Sequence, residues 1–178
     1  MENKGFTLIE LLVVAIIIGV LSAFVLANYP SYGREFALDR SANKLAQDIR
    51  RAQEKAVAME EISGSPPQGY GVYFNTSTHP SSYKLSTYEK SDSQWSATDS
   101  WEDTISLESK VRLKDLKVGG SSVSTSSIVF EPPDPTIWII WSNNNSSSSS
   151  STVILYLETE PSKTKSILVN SSGLITTE

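Results

Sequence analysis

The chain has 178 residues, no cysteine and a net charge of −5. Without cysteine it has no disulfide framework, no cysteine-ligated zinc and no thiol nucleophile. The charge is uneven: residues 34–55 carry six basic and four acidic side chains, net +2, and residues 56–178 carry eight and fourteen, net −6. A mildly acidic globular part offers no electrostatic footprint for DNA or RNA, so nucleic acid is not an expected partner.

From Phe6 to Ala27 only Thr7, Glu10 and Ser22 have polar side chains. As a helix this stretch rises about 33 Å, enough to cross the hydrocarbon core of a bilayer. An acid at mid-helix in lipid costs about 2.5 kcal/mol or more, so Glu10 needs a reason. A secretory signal peptide fits the stretch less well. Its apolar region runs roughly 7–15 residues behind a basic start, whereas this run is longer and starts with one Lys (Lys4) beside one Glu (Glu2).

Gly5-Phe6-Thr7-Leu8-Ile9-Glu10 with the apolar run behind it resembles the class III signal of type IV pilins and type II secretion pseudopilins. That resemblance implies a leader, Met1–Gly5, removed by a prepilin peptidase between Gly5 and Phe6, and N-methylation of the new amino terminus at Phe6. It implies that the Glu10 carboxylate pairs with the Phe6 amino group of a neighbouring subunit during fibre assembly. The implied partners are the peptidase, other pilin or pseudopilin subunits, an inner-membrane assembly platform and the lipid bilayer. The implied location is a single pass through the cytoplasmic membrane, N-terminus inside and globular domain outside.

Tyr29 and Tyr32 suit a membrane interface, and Pro30 is expected to kink or interrupt the helix. Helix then resumes at Arg34. Leu38, Ala42, Leu45, Ile49, Ala52, Ala56 and Met59 are spaced four, three, four, three, four and three, one apolar seam for a sheet to cover. Lys44, Asp48, Arg50, Arg51 and Glu54 are expected to pair on the outer faces. Ser63-Gly64-Ser65-Pro66-Pro67 is expected to end the helix.

Strand patterns follow. Tyr70–Phe74 and Tyr83–Tyr88 read as a hairpin. Residues 89–104 read as an acidic loop. Ile105–Leu107, Val111–Leu113 with Leu116–Val118, Ser127–Phe130 and Thr136–Trp141 read as short strands. Ser142–Ser151 is low-complexity Ser and Asn, expected as a flexible hairpin loop between Trp138–Trp141 and Val153–Leu157. Ser166–Asn170 and Leu174–Thr177 flank Gly173 in a closing hairpin. The expected fold is α+β: a long N-terminal helix, transmembrane in its first half, on a mainly antiparallel sheet. The expected segments are a leader at 1–5, a transmembrane helix at 6–29, an amphipathic continuation at 30–62 and a β-rich domain at 63–178.

The segment Arg50–Ala56, the strands Gly69–Phe74 and Ile128–Phe130, and the closing hairpin resemble H-type (FimT-like) minor pseudopilins. That implies a structural subunit of a short secretion fibre, without cofactor or metal. A minor pilin of a type IV pilus and a membrane-anchored binding module that never polymerises are the other readings. His79 has no second His or Cys to share a metal. Asp92, Asp99, Glu102 and Asp103 match no EF-hand spacing. Trp95, Trp101, Trp138 and Trp141 are either core or a partner surface. Asn75, Asn144, Asn145 and Asn170 head glycosylation sequons. No phosphate loop, Ser-His-Asp set or carboxylate pair marks an enzyme.

Overall fold

The computed structural model describes residues 5–62, 64–92, 94–134, 136–141 and 148–178, with side chains for all of these except 27–32 and 99–103. The chain divides into two units, Met1–Phe36 and Ala37–Glu178. One helix, α1 (Leu8–Ala58), contributes to both. The assigned helix runs through Pro30 and Gly33, so the interruption expected there does not occur. Proline removes only one backbone donor, and the surrounding turns keep their own hydrogen bonds.

In the first unit the helix from Leu8 to Leu26 is long and apolar enough to cross a membrane, and none of it is buried within the protein. Its large side chains, Leu8 and Phe24 among them, are exposed around the whole circumference. A helix apolar on all sides finds its partner in lipid or in other helices.

In the second unit α1 is amphipathic. Leu38, Ala42, Leu45, Ile49, Ala52 and Ala56 are buried, as the seam requires. Met59 is not part of it. The helix stops at Ala58, and Met59 turns into the left-handed region at φ 49°. The Met59 N–H reaches Ala56 O and the Glu60 N–H reaches Lys55 O, both at 3.2 Å. These two bonds are the Schellman motif, which closes the helix before the Gly64 and Pro66 signals. Asp48, expected on an outer face, is buried and accepts a hydrogen bond from the Tyr83 hydroxyl.

Among the described residues ten strands form two antiparallel sheets. The first has the order β3-β2-β1-β6-β7, with β1 (Gly69–Asn75), β2 (Ser82–Ser91), β3 (Gln94–Ser106), β6 (Thr125–Glu131) and β7 (Thr136–Trp141). The second has the order β10-β9-β8-β4-β5, with β4 (Val111–Val118), β5 (Ser121–Val123), β8 (Ser150–Leu157), β9 (Glu160–Asn170) and β10 (Ile175–Thr177). The main core joins the α1 seam to Tyr70, Val72, Phe74, Leu85, Ile128 and Phe130 of the first sheet and Leu113, Leu116, Val153, Leu155, Ile167 and Val169 of the second.

The β1–β2 hairpin pairs Phe74 with Tyr83, and β9–β10 pairs Val169 with Ile175, both at the expected places. Two expectations fail. Residues 89–104 are not a loop: β2 continues to Ser91 and β3 starts at Gln94. Polar composition hid a strand there because β3 is an edge strand, with a buried side chain at Trp95 and exposed Gln94 and Ser96 beside it. The apolar strands on either side of the Ser/Asn run are not a hairpin either, since β7 lies in the first sheet and β8 in the second. Of that run, residues 142–147 lie outside the described residues, whereas Ser150 and Ser151 belong to β8 and Ser151 is buried.

Candidate functional site

Met1–Lys4 lie outside the described residues. Gly5, Phe6 and Thr7 precede the helix and are exposed. Thr7 is its N-cap. The Thr7 hydroxyl oxygen accepts the Glu10 N–H at 3.3 Å. Glu10 Oε2 in return accepts the Thr7 N–H at 3.5 Å and the Thr7 hydroxyl at 3.4 Å. The Thr7 carbonyl also accepts from Glu10 and Leu11. This reciprocal arrangement is a capping box, in which a Thr and a Glu three residues later satisfy orphan donors of the first turn. Thr7 is the residue that sequence reasoning missed here, although Thr-x-x-Glu before an apolar run announces the motif. Glu10 thus stands in the first turn, where the positive end of the helix dipole favours a carboxylate.

The chain matches the family model described as the prokaryotic N-terminal methylation motif over residues 1–26. A fimbrial protein of Pseudomonas aeruginosa is 29% identical over 140 residues, which cover 76% of this chain and 83% of that protein. The type IV major alpha-pilin of Moraxella bovis is 35% identical over 93 residues, covering 49% of this chain and 58% of that one. No solved structure matches the chain. The chain thus carries a prokaryotic N-terminal methylation motif and is similar to type IV pilins.

The β-domain of this pilin-like chain carries a second apolar cluster apart from the main core, on the other face of the first sheet. Tyr88 and Trp95 are buried there with Val129, and Trp138 and Ile140 pack beside them. The rings of Trp95 and Trp138 lie 6.2 Å apart. Lys90 Nζ sits 5.1 Å from the first ring centroid and 4.5 Å from the second. The Glu131 carboxylate accepts from Lys90 at 3.1 Å and from the Trp138 indole N–H at 2.7 Å. A cation over two indoles, with its counter-ion tied to one of them, is a satisfied polar lid on an apolar patch. Trp141 packs against the main core, so the two tryptophans of β7 serve opposite faces. Trp101 has no described side chain.

Gly69 and Gly71 make room for this cluster. A Cβ on Gly69 would lie 2.8 Å from Val129 Cγ1 and 2.9 Å from Trp95, and one on Gly71 only 2.4 Å from the Ile128 carbonyl oxygen. The Tyr88 hydroxyl is buried without a partner, since the neighbouring Ser127 hydroxyl does not close a hydrogen bond to it. Burial accordingly holds its proton well above the ordinary tyrosine range.

A groove of about 480 Å³ runs between α1 and the end of β3 with the residues that follow it, lined by Arg40, Lys44, Gln47, Tyr83 and Glu108 among others. Arg40 grips Glu108 through two bonds of 3.1 and 3.2 Å. Those hydrogen bonds hold the Glu108 carboxyl below its ordinary value and raise the guanidinium. Both groups are largely exposed, so water screens the pair and its contribution is small.

His79 is exposed, and its Nδ1 lies 2.8 Å from the Thr78 hydroxyl. Among the described residues no group of three His, Cys, Asp or Glu side chains is placed to hold a metal ion. The sequon asparagines Asn75 and Asn170 have turn roles: Asn75 Oδ1 accepts from Ser77 and Thr78 N–H, and Asn170 Oδ1 from Ser172 and Leu174 N–H. Asn144 and Asn145 lie outside the described residues.

Proposed function

We propose that this chain is a non-enzymatic, membrane-anchored structural subunit, processed between Gly5 and Phe6, methylated on Phe6 and assembled into a pilus-like fibre. The observation that carries the reading is the capped, exposed apolar helix that starts with Thr7 and Glu10 immediately after the cleavage motif. Hydrolysis of the Gly5–Phe6 bond frees an α-amino group at Phe6. Glycine there leaves the scissile backbone without a Cβ to obstruct the peptidase. The Phe6 ammonium of one subunit and the Glu10 carboxylate of its neighbour then offset each other's desolvation in lipid, whereas either alone is penalised. The apolar helix is solvated by lipid before assembly and by other subunits after it.

The reading places the globular domain outside the cytoplasm and the chain as a minor subunit of a short type II secretion fibre. The second reading, a subunit of a type IV pilus, draws support from the fimbrial and pilin names of the relatives. Glu10→Ala tests the mechanism: it is expected to be cleaved and inserted normally yet to be missing from purified fibres, and normal incorporation would overturn the pairing. Gly5→Leu is expected to leave the precursor uncut, read by N-terminal sequencing. Loss of cargo secretion without loss of surface pili, on deletion in the native host, separates the secretion fibre from the pilus.

A further inference from the structure

The groove beside α1 has a buried base and a polar wall. Tyr83 and Ser41 at its base are buried. Asn43, Lys44 and Gln47 line it from exposed positions of the helix, and Ser106, Leu107 and Glu108 close the other side. All of these residues are described, and all belong to the unit Ala37–Glu178. The base is satisfied: the Tyr83 hydroxyl donates to Asp48, and the Ser41 hydroxyl oxygen accepts the Glu108 N–H at 3.1 Å. The wall is not. Among the described residues the Lys44 ammonium and the Asn43 and Gln47 amides have no hydrogen-bond or ion-pair partner. Lys44 acts only at longer range, where its charge helps to lower the Glu108 carboxyl.

We propose that this groove binds an extended segment of another protein that carries acids at alternate residues. Spacing and charge set that chemistry. Arg40 and Lys44 are four residues apart on α1, and so are Asn43 and Gln47, which puts the members of each pair about 6 Å apart along the axis. Alternate residues of an extended chain repeat at about 6.6–6.8 Å, close to that step. One acid takes Lys44, a cation with no adjacent counter-ion, in a charge-assisted bond. The Asn43 and Gln47 amides each offer donors and an acceptor, the functions that a peptide group complements. The next acid reaches Arg40 by displacing Glu108, which is easily done because an exposed ion pair is weak. Glu108 is then the chain's own stand-in for a carboxylate of the ligand.

A phosphate fits less well. Phosphates are held by free arginine forks and by clustered backbone N–H groups. Here the Arg40 fork holds Glu108, and the N–H groups of Leu107 and Glu108 are spent on the Ser81 carbonyl and the Ser41 hydroxyl. Volume decides between a segment and a folded surface: 480 Å³ lies within the range of about 300–1,000 Å³ of pockets that take ligand-sized groups. A second copy would therefore have to insert a loop. Among the described residues no loop of this chain carries two acids free of partners, since Glu60 holds Lys55 and Glu158 holds Lys110.

The test uses the full chain in neutral detergent micelles at low salt and a fluorescent peptide of alternating Ser and Glu. Saturable binding in an anisotropy titration is expected, and none by the same peptide with Gln for Glu. Lys44→Glu is expected to weaken binding at least about ten-fold. Lys117→Glu, the same charge change at an exposed position of β4 outside the groove, is expected to leave it unchanged. Glu108→Gln frees Arg40 and removes a like charge, so it is expected to tighten binding roughly two- to five-fold, the opposite of what a merely structural loss would do. Near-UV dichroism checks that each variant is folded. Absence of saturable binding, equal binding of the Gln peptide, equal weakening by Lys44→Glu and Lys117→Glu, or failure of Glu108→Gln to tighten binding overturns the proposal. Displacement of the peptide by inorganic phosphate in preference to free glutamate would assign the groove to a phosphate, and a dimer of the chain itself in sedimentation that Lys44→Glu abolishes would assign it to a second copy; either overturns it equally.

Discussion

Gly71→Ala isolates the cost of crowding the face of the first sheet. The added methyl would sit 2.4 Å from the Ile128 carbonyl oxygen, 2.9 Å from Tyr88 Cε2 and 3.1 Å from Val129 Cα. Two of these three atoms are backbone of β6, held by the β1–β6 ladder at Val72↔Ile128 and Gly71↔Val129. No rotamer change relieves them, so the strand must shift. Overpacking of this kind costs roughly 1–3 kcal/mol, with backbone clashes at the upper end, and the loss of unfolded-state freedom returns about 0.4–1 kcal/mol. A net loss of about 2 kcal/mol lowers Tm by roughly 4–10 °C for a unit of this size. Gly69→Ala meets side chains instead, Val129 Cγ1 and the Trp95 ring. It should cost less, and in a double-mutant cycle with Val129→Ala it should show coupling of about 1 kcal/mol. Gly120→Ala is the control: φ is +88° but nothing lies within 4 Å, so only left-handed strain of about 1–2 kcal/mol remains. The assay is thermal unfolding of the full chain in micelles, followed by near-UV dichroism from Trp95 and Trp138. A Gly71→Ala protein melting within about 1 °C of the parent would refute the close approach of β1 and β6.

Met59→Gly should stabilise the domain by about 1 kcal/mol, because a non-glycine residue in the left-handed region is strained and Met59, at 45% exposed, loses little burial; urea unfolding reads it. Tyr88→Phe should be neutral or stabilising, since a buried hydroxyl without a partner costs about 1–3 kcal/mol; a clear loss in the same assay would mean that the hydroxyl is bonded. Tyr70 and Tyr88 are both raised above the ordinary tyrosine value of 10.0, mainly by burial. Their contribution is complete below pH 10 and is lost as the pH rises toward their folded values, so stability should fall in the alkaline range, with Tyr88→Phe blunting the fall and absorbance at 295 nm showing late ionisation. Glu108 is lowered by its hydrogen bonds to Arg40, so its small contribution is present above its unfolded pKa and lost as the pH falls; Arg40→Gln should flatten that acid-side slope at low salt and change little at high salt.

The α1 seam was legible because its spacing and its burial have the same physical cause. Residues that recur every three or four positions share one face, and Leu45 and Ile49 are buried on that face. Hairpins with strong turn chemistry were legible for a similar reason: Asn170 and Gly173 close the β9–β10 turn themselves. β3 was not legible, because an edge strand with one row toward solvent needs few apolar residues, and its register irregularities blur what alternation remains. The helix end was misplaced because Met59 does at C′ what glycine usually does, and no sequence rule favours Met in the left-handed region. The parting of β7 from β8 was hidden for a different reason. Both strands are apolar and neighbouring in sequence, and only the global pairing decides which sheet each one joins. At the N-terminus the motif marked Gly5, Phe6 and Glu10, but the part played by Thr7 appeared only with its hydrogen bonds.

Those bonds sharpen the problem of an acid at the head of a membrane helix. The capping box satisfies donors of the first turn and occupies Glu10 Oε2, and the helix dipole adds a favourable partial charge. Neither supplies a full positive charge. Hydrogen bonds lower the cost of burying a carboxylate but leave its net charge in place, and a buried charge is compensated only by an opposite one. On the proposed reading the cut at Gly5 provides it. Before the cut, Phe6 nitrogen is an uncharged amide and the nearest cation in sequence is Lys4. After it, Lys4 is gone and a charged amine stands at Phe6, four residues from Glu10. Cleavage therefore exchanges a removable cation for one fixed to the end of the helix backbone, and the cut must precede pairing because the pairing group does not exist until the peptide bond is broken.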